Sequence, residues 1–165
     1  MDKIVFNRLL SALRPKMYRL ALSFTRRTDE AEDVVQDVGI KLWERRDDLA
    51  AFSSVEAYAM NAVRNRCIDV ARSPHNRMDE LVEAHDTAHG RTPHQMLEQA
   101  DMAAFVRKLV ERLPEQQKMV MRLRDIEGYE LDEIAQILEI TDGAVRTNLS
   151  RARQKIRDEL LKHTL

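Results

Sequence analysis

Apolar side chains recur at helical spacing along most of this chain. Residues 6–26 place them three and four positions apart, the pattern of an amphipathic helix. Pro15 interrupts this stretch and predicts either a kink or the first turn of a second helix. Further helices are expected over 30–45 and 55–72, with a loop at 47–53 between them. No alternating strand pattern occurs, so the chain is predicted to be all-α.

The periodicity is lost over residues 73–92, where acidic residues outnumber basic ones. A stretch of about 20 residues is longer than most connections within a compact domain, so it predicts a linker. Helix resumes at Thr92-Pro93 and continues after Pro114, where its apolar residues are expected to be Met119, Val120, Leu123 and Ile126, and it is expected to stop at Gly128. We therefore expect two small helical bundles, 1–73 and 93–165, joined by a flexible acidic linker, 74–92.

The segment from 133 to 156, EIAQILEITDGAVRTNLSRARQKI, changes character in its middle. Ile134, Ala135 and Leu138 form one short apolar face. A second face is predicted on the last helix, which starts near Asp142 and carries Val145, Leu149, Ala152 and Ile156. The turn at 139–141 between them predicts a helix-turn-helix, with a residue other than glycine at its corner.

The second of these helices is predicted to present a polar, basic surface opposite its apolar face. Its outward side chains are Arg146, Thr147, Ser150, Arg151 and Arg153. Arginine bonds guanine edges bidentately in a major groove, and threonine and serine reach bases or phosphates. A solvated basic face is the alternative for any single helix, but the corner and the outward row together favour a DNA reader.

Composition adds few constraints. The net charge of −1 gives no global sign of nucleic-acid binding, so any basic surface must be local. Cys67 is the single cysteine, which excludes an internal disulfide and fits a reducing, cytoplasmic location. Charges within the apolar N-terminal stretch argue against a signal peptide or membrane insertion.

Other chemistry is weakly supported. His85 and His89 have zinc-ligand spacing beside Asp86, but a solvated linker is the simpler interpretation. Cys67 is expected to be a buried small side chain rather than a redox sensor. No catalytic triad, Gly-rich phosphate loop or carboxylate pair is found, so no enzyme activity, metal or cofactor is predicted.

Three stretches in a fixed order resemble bacterial sigma-70 family sigma factors, and most closely the small extracytoplasmic-function (ECF) group. They are AEDVVQDV at 31–38, AVRNRCIDVAR at 62–72, and the segment from LPEQQKMVM to NLSRAR at 113–153. The resemblance covers all but the linker. It implies a promoter-specificity subunit that binds core RNA polymerase and promoter DNA and initiates transcription, and it leaves open an anti-sigma partner.

The resemblance also implies residue roles in the first bundle. The side chains that match the segment docking on the beta-prime clamp helices are Glu32, Asp33, Gln36, Asp37, Lys41 and Trp43. Gly39 departs from the family pattern, where a bulky aromatic is usual. Tyr58, Arg64, Asn65, Arg66 and Arg72 match the family residues that contact the −10 element. The loop at 47–53 matches the family segment that captures an unstacked base. Tyr58 equally suits a core position, and the acidic face equally suits solvent.

In the second bundle, the resemblance assigns the −35 element to Arg146, Thr147, Ser150, Arg151 and Arg153, and assigns the beta flap to the preceding helices. The acidic linker resembles the segment that threads near the polymerase active-site and RNA-exit channel. Two other functions compete with this one: an ordinary helix-turn-helix repressor or activator, and a sigma-like decoy that binds no DNA. The acidic face at 31–43 argues against the first, and the retained arginines argue against the second.

Overall fold

The computed structural model describes residues 1–71 and 93–164, without the side chains of 93–99 and 164. These ranges are almost entirely helical and contain no strand, so the predicted all-α class is confirmed. The helices are α1 (Lys3–Thr25), α2 (Thr28–Glu44), α3 (Val55–Ala71), α4 (Pro93–Glu111), α5 (Glu115–Met121), α6 (Leu131–Leu138) and α7 (Asp142–Thr164). A 3-10 turn, Leu49–Ala51, precedes α3, and a π turn, Arg122–Ile126, extends α5.

The chain divides into two compact units. The first is built on α1, α2 and α3, and the second on α4, α5 and α7. The predicted linker, 74–92, lies outside the described residues, as do Arg72, His75, His85 and His89, and the side chain of His94. The boundaries at 73 and 93 therefore stay predictions, although α4 begins at Pro93, the residue expected to open it.

Helix α1 is one continuous helix that contains Pro15, so the alternative of a second helix beginning there is wrong. A proline inside a helix removes one backbone hydrogen bond and costs about 3 kcal/mol. Leu13 and Met17, on either side of it, are buried. Each such side chain contributes about 1.5–3 kcal/mol on burial, which offsets the break in the hydrogen-bond ladder.

The core of the first unit lies where α1, α2 and α3 pack together. Its fully buried side chains include Met17, Leu20, Val34, Leu42, Leu49, Met60 and Val63. Trp43 is half-buried at the edge of this core. Phe6 meets its ring edge-on with centroids 5.0 Å apart, and the Arg46 guanidinium lies 4.1 Å from its centroid.

Gly39 is buried within α2 and faces α1. A Cβ built at this position would lie 3.8 Å from both terminal carbons of Leu10, which is ordinary van der Waals contact. Leu10 therefore approaches the place that a bulky side chain would fill. An alanine fits here without displacing Leu10, and a large aromatic does not.

The second unit packs α5 and α4 against α7. Leu113, Met121 and Ala152 form a buried cluster, and Val110 and Ile156 pack against it. Ile126 was expected to share the α5 apolar face, but it is 63 % exposed. The expectation assumed α-helical periodicity, and the π turn departs from it by bonding each amide one residue further back. Gly128 then ends the segment at φ 78°, as predicted.

Replacement of Gly39 by alanine is expected to raise the free energy of unfolding by about 0.5–1 kcal/mol, because alanine loses less backbone entropy in a helix interior. Chemical denaturation followed by circular dichroism measures the change. Gly128→Ala is the contrasting variant: its positive φ strains any L side chain, so its stability should fall by about 1 kcal/mol. A destabilised Gly39→Ala would mean that Leu10 cannot tolerate the added methyl.

Candidate functional site

The turn between α6 and α7 is held in a specific backbone conformation. Glu139 has φ 56°, in the left-handed region, as expected for a corner without glycine. The Ile140 amide donates to the Ala135 carbonyl at 3.1 Å and closes the end of α6. Thr141 then caps α7, because its Oγ1 accepts a hydrogen bond from the Ala144 amide at 3.1 Å. Two helices are thus joined by a short, defined turn.

Helix α7 has one buried stripe and one exposed surface. Val145, Leu149 and Ala152 are buried and Ile156 is half-buried, which is the stripe predicted from sequence. All five residues predicted to read DNA are exposed: Arg146, Thr147, Ser150, Arg151 and Arg153. From Gly143 to His163 the sequence contains six lysines or arginines and two acids, so the exposed surface is strongly basic.

Two polar contacts hold α7 beside its buried stripe. The Arg153 guanidinium donates from Nε and Nη2 to the two carboxylate oxygens of Asp125, at 3.2 and 2.5 Å. The same hydrogen bond raises the pKa of Arg153. Nearer the start of α7, Asn148 donates to the Gln116 side chain at 3.2 Å and to the Ala144 carbonyl at 2.8 Å. Sequence reasoning missed both partners, because they are distant along the chain.

The outer face of α2 is acidic and exposed. Glu32, Asp33, Gln36, Asp37 and Lys41 all lie on it, as the sequence predicted. Ile40 lies among them and is 53 % exposed. Ile40 is a further candidate contact that the helical pattern signals, because it is an apolar residue within a polar row. An exposed apolar side chain within an acidic face suits a partner helix that is basic and partly apolar.

An ion pair joins the acidic face of α2 to α3. The Arg66 Nε donates to Asp37 Oδ2 at 3.1 Å, and both side chains are about half-exposed. On the same helix, half-buried Arg64 donates to Asn65 Oδ1 at 3.2 Å, and the Asn65 amide donates to Asn61. The two residue sets predicted for the first bundle therefore adjoin each other.

A pair of aromatic rings lies at the start of α3. Tyr58 is half-buried, and its ring centroid lies 4.6 Å from that of Phe52 with the planes tilted by 35°. Arg45 donates from Nη1 to the Tyr58 hydroxyl at 3.0 Å, and its guanidinium carbon lies 5.7 and 5.6 Å from the two ring centroids. Tyr58 is thus neither fully core nor fully free. Phe52 and Arg45 were missed by sequence reasoning.

Cys67 is buried in α3, and burial raises the pKa of its thiol to about 12. The thiol is therefore neutral at physiological pH, in agreement with the buried small role expected for it. Among residues 1–71 and 100–163, no cluster of side chains has the composition of a metal site. In the described part of the chain, the helices are too short or too polar to cross a lipid bilayer.

Helix α7 follows a left-handed turn, is capped by Thr141 and exposes a basic surface. Together these features define an all-helical DNA-binding protein of the helix-turn-helix class. Comparison with known families is more specific. Residues 9–77 match the family model for sigma-70 region 2, and residues 106–156 match that for sigma-70 region 4. The first match contains most of α1 and all of α2 and α3, and the second contains the helix-turn-helix.

Individual relatives agree with this assignment. The chain is 30 % identical to the ECF RNA polymerase sigma-E factor of Haemophilus influenzae, over 96 % of this chain and 89 % of that protein. It is 27 % identical to the RNA polymerase sigma-H factor of Pseudomonas aeruginosa, over 94 % and 86 %. Among solved structures, the sigma factor RpoE of Bartonella quintana, in complex with the anti-sigma factor NepR, has a TM-score of 0.69 at 25 % identity, covering 95 % of this chain and 96 % of RpoE.

The chain belongs to the sigma-70 family of RNA polymerase sigma factors, in its ECF group. It is therefore a promoter-specificity factor, and its partners are core RNA polymerase and promoter DNA. Sigma factors direct the polymerase and are not themselves catalysts. The family assignment confirms the resemblance recognised in the sequence.

Proposed function

We propose that this sigma factor acts through three surfaces: the acidic face of α2 binds core polymerase, α3 and the preceding loop bind the −10 element, and α7 binds the −35 element. The observation that carries the proposal is the outward basic row of α7 behind a capped turn. Because its partners are core polymerase and promoter DNA, we expect this sigma factor to act in the cytoplasm.

The α7 surface has the chemistry of a major-groove reader. Helix-turn-helix proteins contact base edges with the N-terminal residues of the second helix. In α7 these exposed residues are Arg146, Thr147, Ser150 and Arg151. Arginine supplies two parallel donors for a guanine, and the threonine methyl suits a thymine methyl. The more distal cations, Lys155 and Arg157, are suited to phosphates, which fix orientation without reading sequence.

The α2 face has the chemistry of a protein-docking surface. Glu32, Asp33 and Asp37 would attract a basic helix of core polymerase and accelerate encounter. Exposed Ile40, at the centre of this face, would supply the apolar contact from which most affinity derives. Half-buried Trp43 contributes mainly by fixing the end of α2 against Phe6.

The −10 surface combines cationic and amide side chains with the Phe52–Tyr58 ring pair. Arg64, Asn65 and Arg66 offer donors to a single-stranded backbone or to base edges, and Arg72 would extend the set. A base extracted from the duplex loses a few kcal/mol of stacking, and stacking on an aromatic ring returns about 1–3 kcal/mol. Arg45 holds the Tyr58 ring in place for such a contact.

An anti-sigma partner is a further proposal, supported by the likeness to RpoE, whose solved structure contains the anti-sigma factor NepR. A repressor or activator acting without polymerase is the competing function. The exposed acidic face of α2, which the resemblance to sigma factors matches to the segment that docks on core polymerase, favours the sigma role.

The function is tested by reconstitution with core polymerase and genomic DNA, followed by mapping of transcript starts. We expect new starts that share two upstream elements near −10 and −35. The matched control is core polymerase alone. Absence of factor-dependent starts, combined with duplex binding by the free chain, would favour the repressor alternative.

Replacement of Arg146 by alanine is expected to weaken promoter binding by about 1–3 kcal/mol and to relax discrimination at one −35 base pair, as for loss of a bidentate base contact. Binding of the holoenzyme to cognate and single-substituted −35 duplexes measures both effects. Arg157→Ala is the control, and it should weaken binding by the same factor at cognate and substituted duplexes. If Arg146→Ala discriminates as well as wild type, this side chain does not read a base.

Replacement of Asp33 by arginine is expected to abolish core binding, because it places a cation where a basic partner docks. Asp33 is better suited than Asp37, whose pair with Arg66 would be broken as well. Pull-down of core polymerase measures the loss, and circular dichroism checks the fold. Asp158→Arg, at an exposed position of α7, makes the same charge change outside α2 and should retain binding. If Asp33→Arg retains as much core polymerase as the control variant, the acidic face of α2 is not the docking surface.

A further inference from the structure

From the contacts of α7 we infer that Arg153 is a positioning residue, which sets the inclination of α7 through Asp125, and not a contact to the −35 element. The inference rests on the proposed role of α7 as the −35 reader, and it changes the role of one of the five residues predicted to bind DNA.

The first observation is the geometry of the pair. Arg153 offers two donors to the two oxygens of Asp125, at 3.2 and 2.5 Å, in the fork arrangement that is the most orientationally specific of ion pairs. Asp125 raises the pKa of Arg153 by this hydrogen bond. Both side chains remain partly exposed, at 45 % and 35 %, so the pair contributes orientation more than stability.

The second observation is the place of Arg153 around the helix. At about 100° per residue, Arg153 lies about 70° from the centre of the buried stripe, and Asn148 lies about 70° from it on the other side. Arg146 lies about 90° from it, close to the Arg153 flank, whereas Thr147, Ser150 and Arg151 lie about 130–170° away, on the opposite surface. Arg153 and Asn148 therefore flank the stripe, and each is bonded to a residue outside α7.

The third observation is the rigidity of the backbone that carries Asp125. Asp125 lies in the π turn that directly continues α5, whose Val120 is buried, and Leu123 within the turn is buried as well. The Glu127 amide donates to the Arg122 carbonyl at 3.0 Å, and the Arg124 guanidinium donates to the Tyr129 carbonyl at 2.9 Å. A carboxylate on so constrained a turn is a fixed point against which α7 can be oriented.

The positioning role and a DNA-contact role predict opposite effects for Asp125→Asn. If Arg153 reaches DNA, loss of the carboxylate frees the guanidinium and removes a negative charge near phosphates, so binding tightens. If Arg153 positions α7, loss of the carboxylate releases the helix flank, so binding weakens although the protein has become more basic. The sign of the change therefore decides between them.

The experiment measures binding of the holoenzyme to the promoter obtained from start-site mapping. We expect Asp125→Asn and Arg153→Gln each to weaken binding roughly threefold, the size of an exposed pair's contribution, equally at cognate and −35-substituted sites. The double variant should be no weaker than either single variant, because both remove one interaction. Tighter or unchanged binding by Asp125→Asn, or altered discrimination by Arg153→Gln, would overturn the inference.

Two controls separate this result from other causes. Asp158→Asn removes a carboxylate that accepts from Gln154 on α7 itself, and should bind as well as wild type or better. The exchanged variant, Asp125→Arg with Arg153→Asp, should recover binding relative to Arg153→Asp alone. If it does not, Arg153 has a role beyond this pair.

Hydrogen exchange in the free chain gives a readout that needs no DNA. Amides of residues 145–153 should exchange faster in Asp125→Asn than in wild type or Asp158→Asn, and equal rates would count against positioning. A wild-type holoenzyme that binds no promoter would instead refute the proposed function, whatever the variants do.

Discussion

The burial of one stripe along α7 is the constraint on which the proposed DNA-reading surface depends. Val145, Leu149 and Ala152 face the interior of the second unit, and the two larger side chains, Val145 and Leu149, each contribute about 1.5–3 kcal/mol on burial. A rotation of α7 by one residue, about 100°, would bury Arg146 and Arg153 in one direction, or Arg151 in the other, at a cost of several kcal/mol. The stripe therefore dictates which side chains are outward, and the Thr141 cap fixes where that surface begins.

In the first unit, a single helix serves both the core and a surface. Helix α2 buries Val34, Val38 and Leu42 on one side and exposes a carboxylate-rich row on the other. Because the two sides belong to one rigid cylinder, packing of the core fixes the spacing of the charges. The pair between Asp37 and Arg66 extends this linkage to α3, so a partner that neutralises Asp37 also alters the surroundings of a candidate DNA contact.

Sequence periodicity predicted the features that depend on local rules. The all-α class, the stripe of α7, the left-handed corner at Glu139 and the stop at Gly128 each follow from spacing or from one residue's backbone preference. The failures have a common origin in tertiary context. Helix α1 continues through Pro15 because the side chains on either side of it, Leu13 and Met17, are buried. Ile126 faces outward because of a π turn, which no periodicity indicates. Phe52 and Arg45 become part of a site only through their contacts with Tyr58.

Helical spacing predicts that a side chain is exposed, but not that it is available to a ligand. Arg153 and Arg66 both face outward, yet each holds a carboxylate at hydrogen-bond distance. A phosphate that binds either one must displace that carboxylate or share the guanidinium with it, so the net gain is smaller than for an arginine without an ion pair. Arg146 and Arg151 are also exposed, and no ion pair engages them within the described residues. They can approach DNA without first losing a carboxylate partner, so together with Lys155 and Arg157 they should contribute to its affinity and salt dependence.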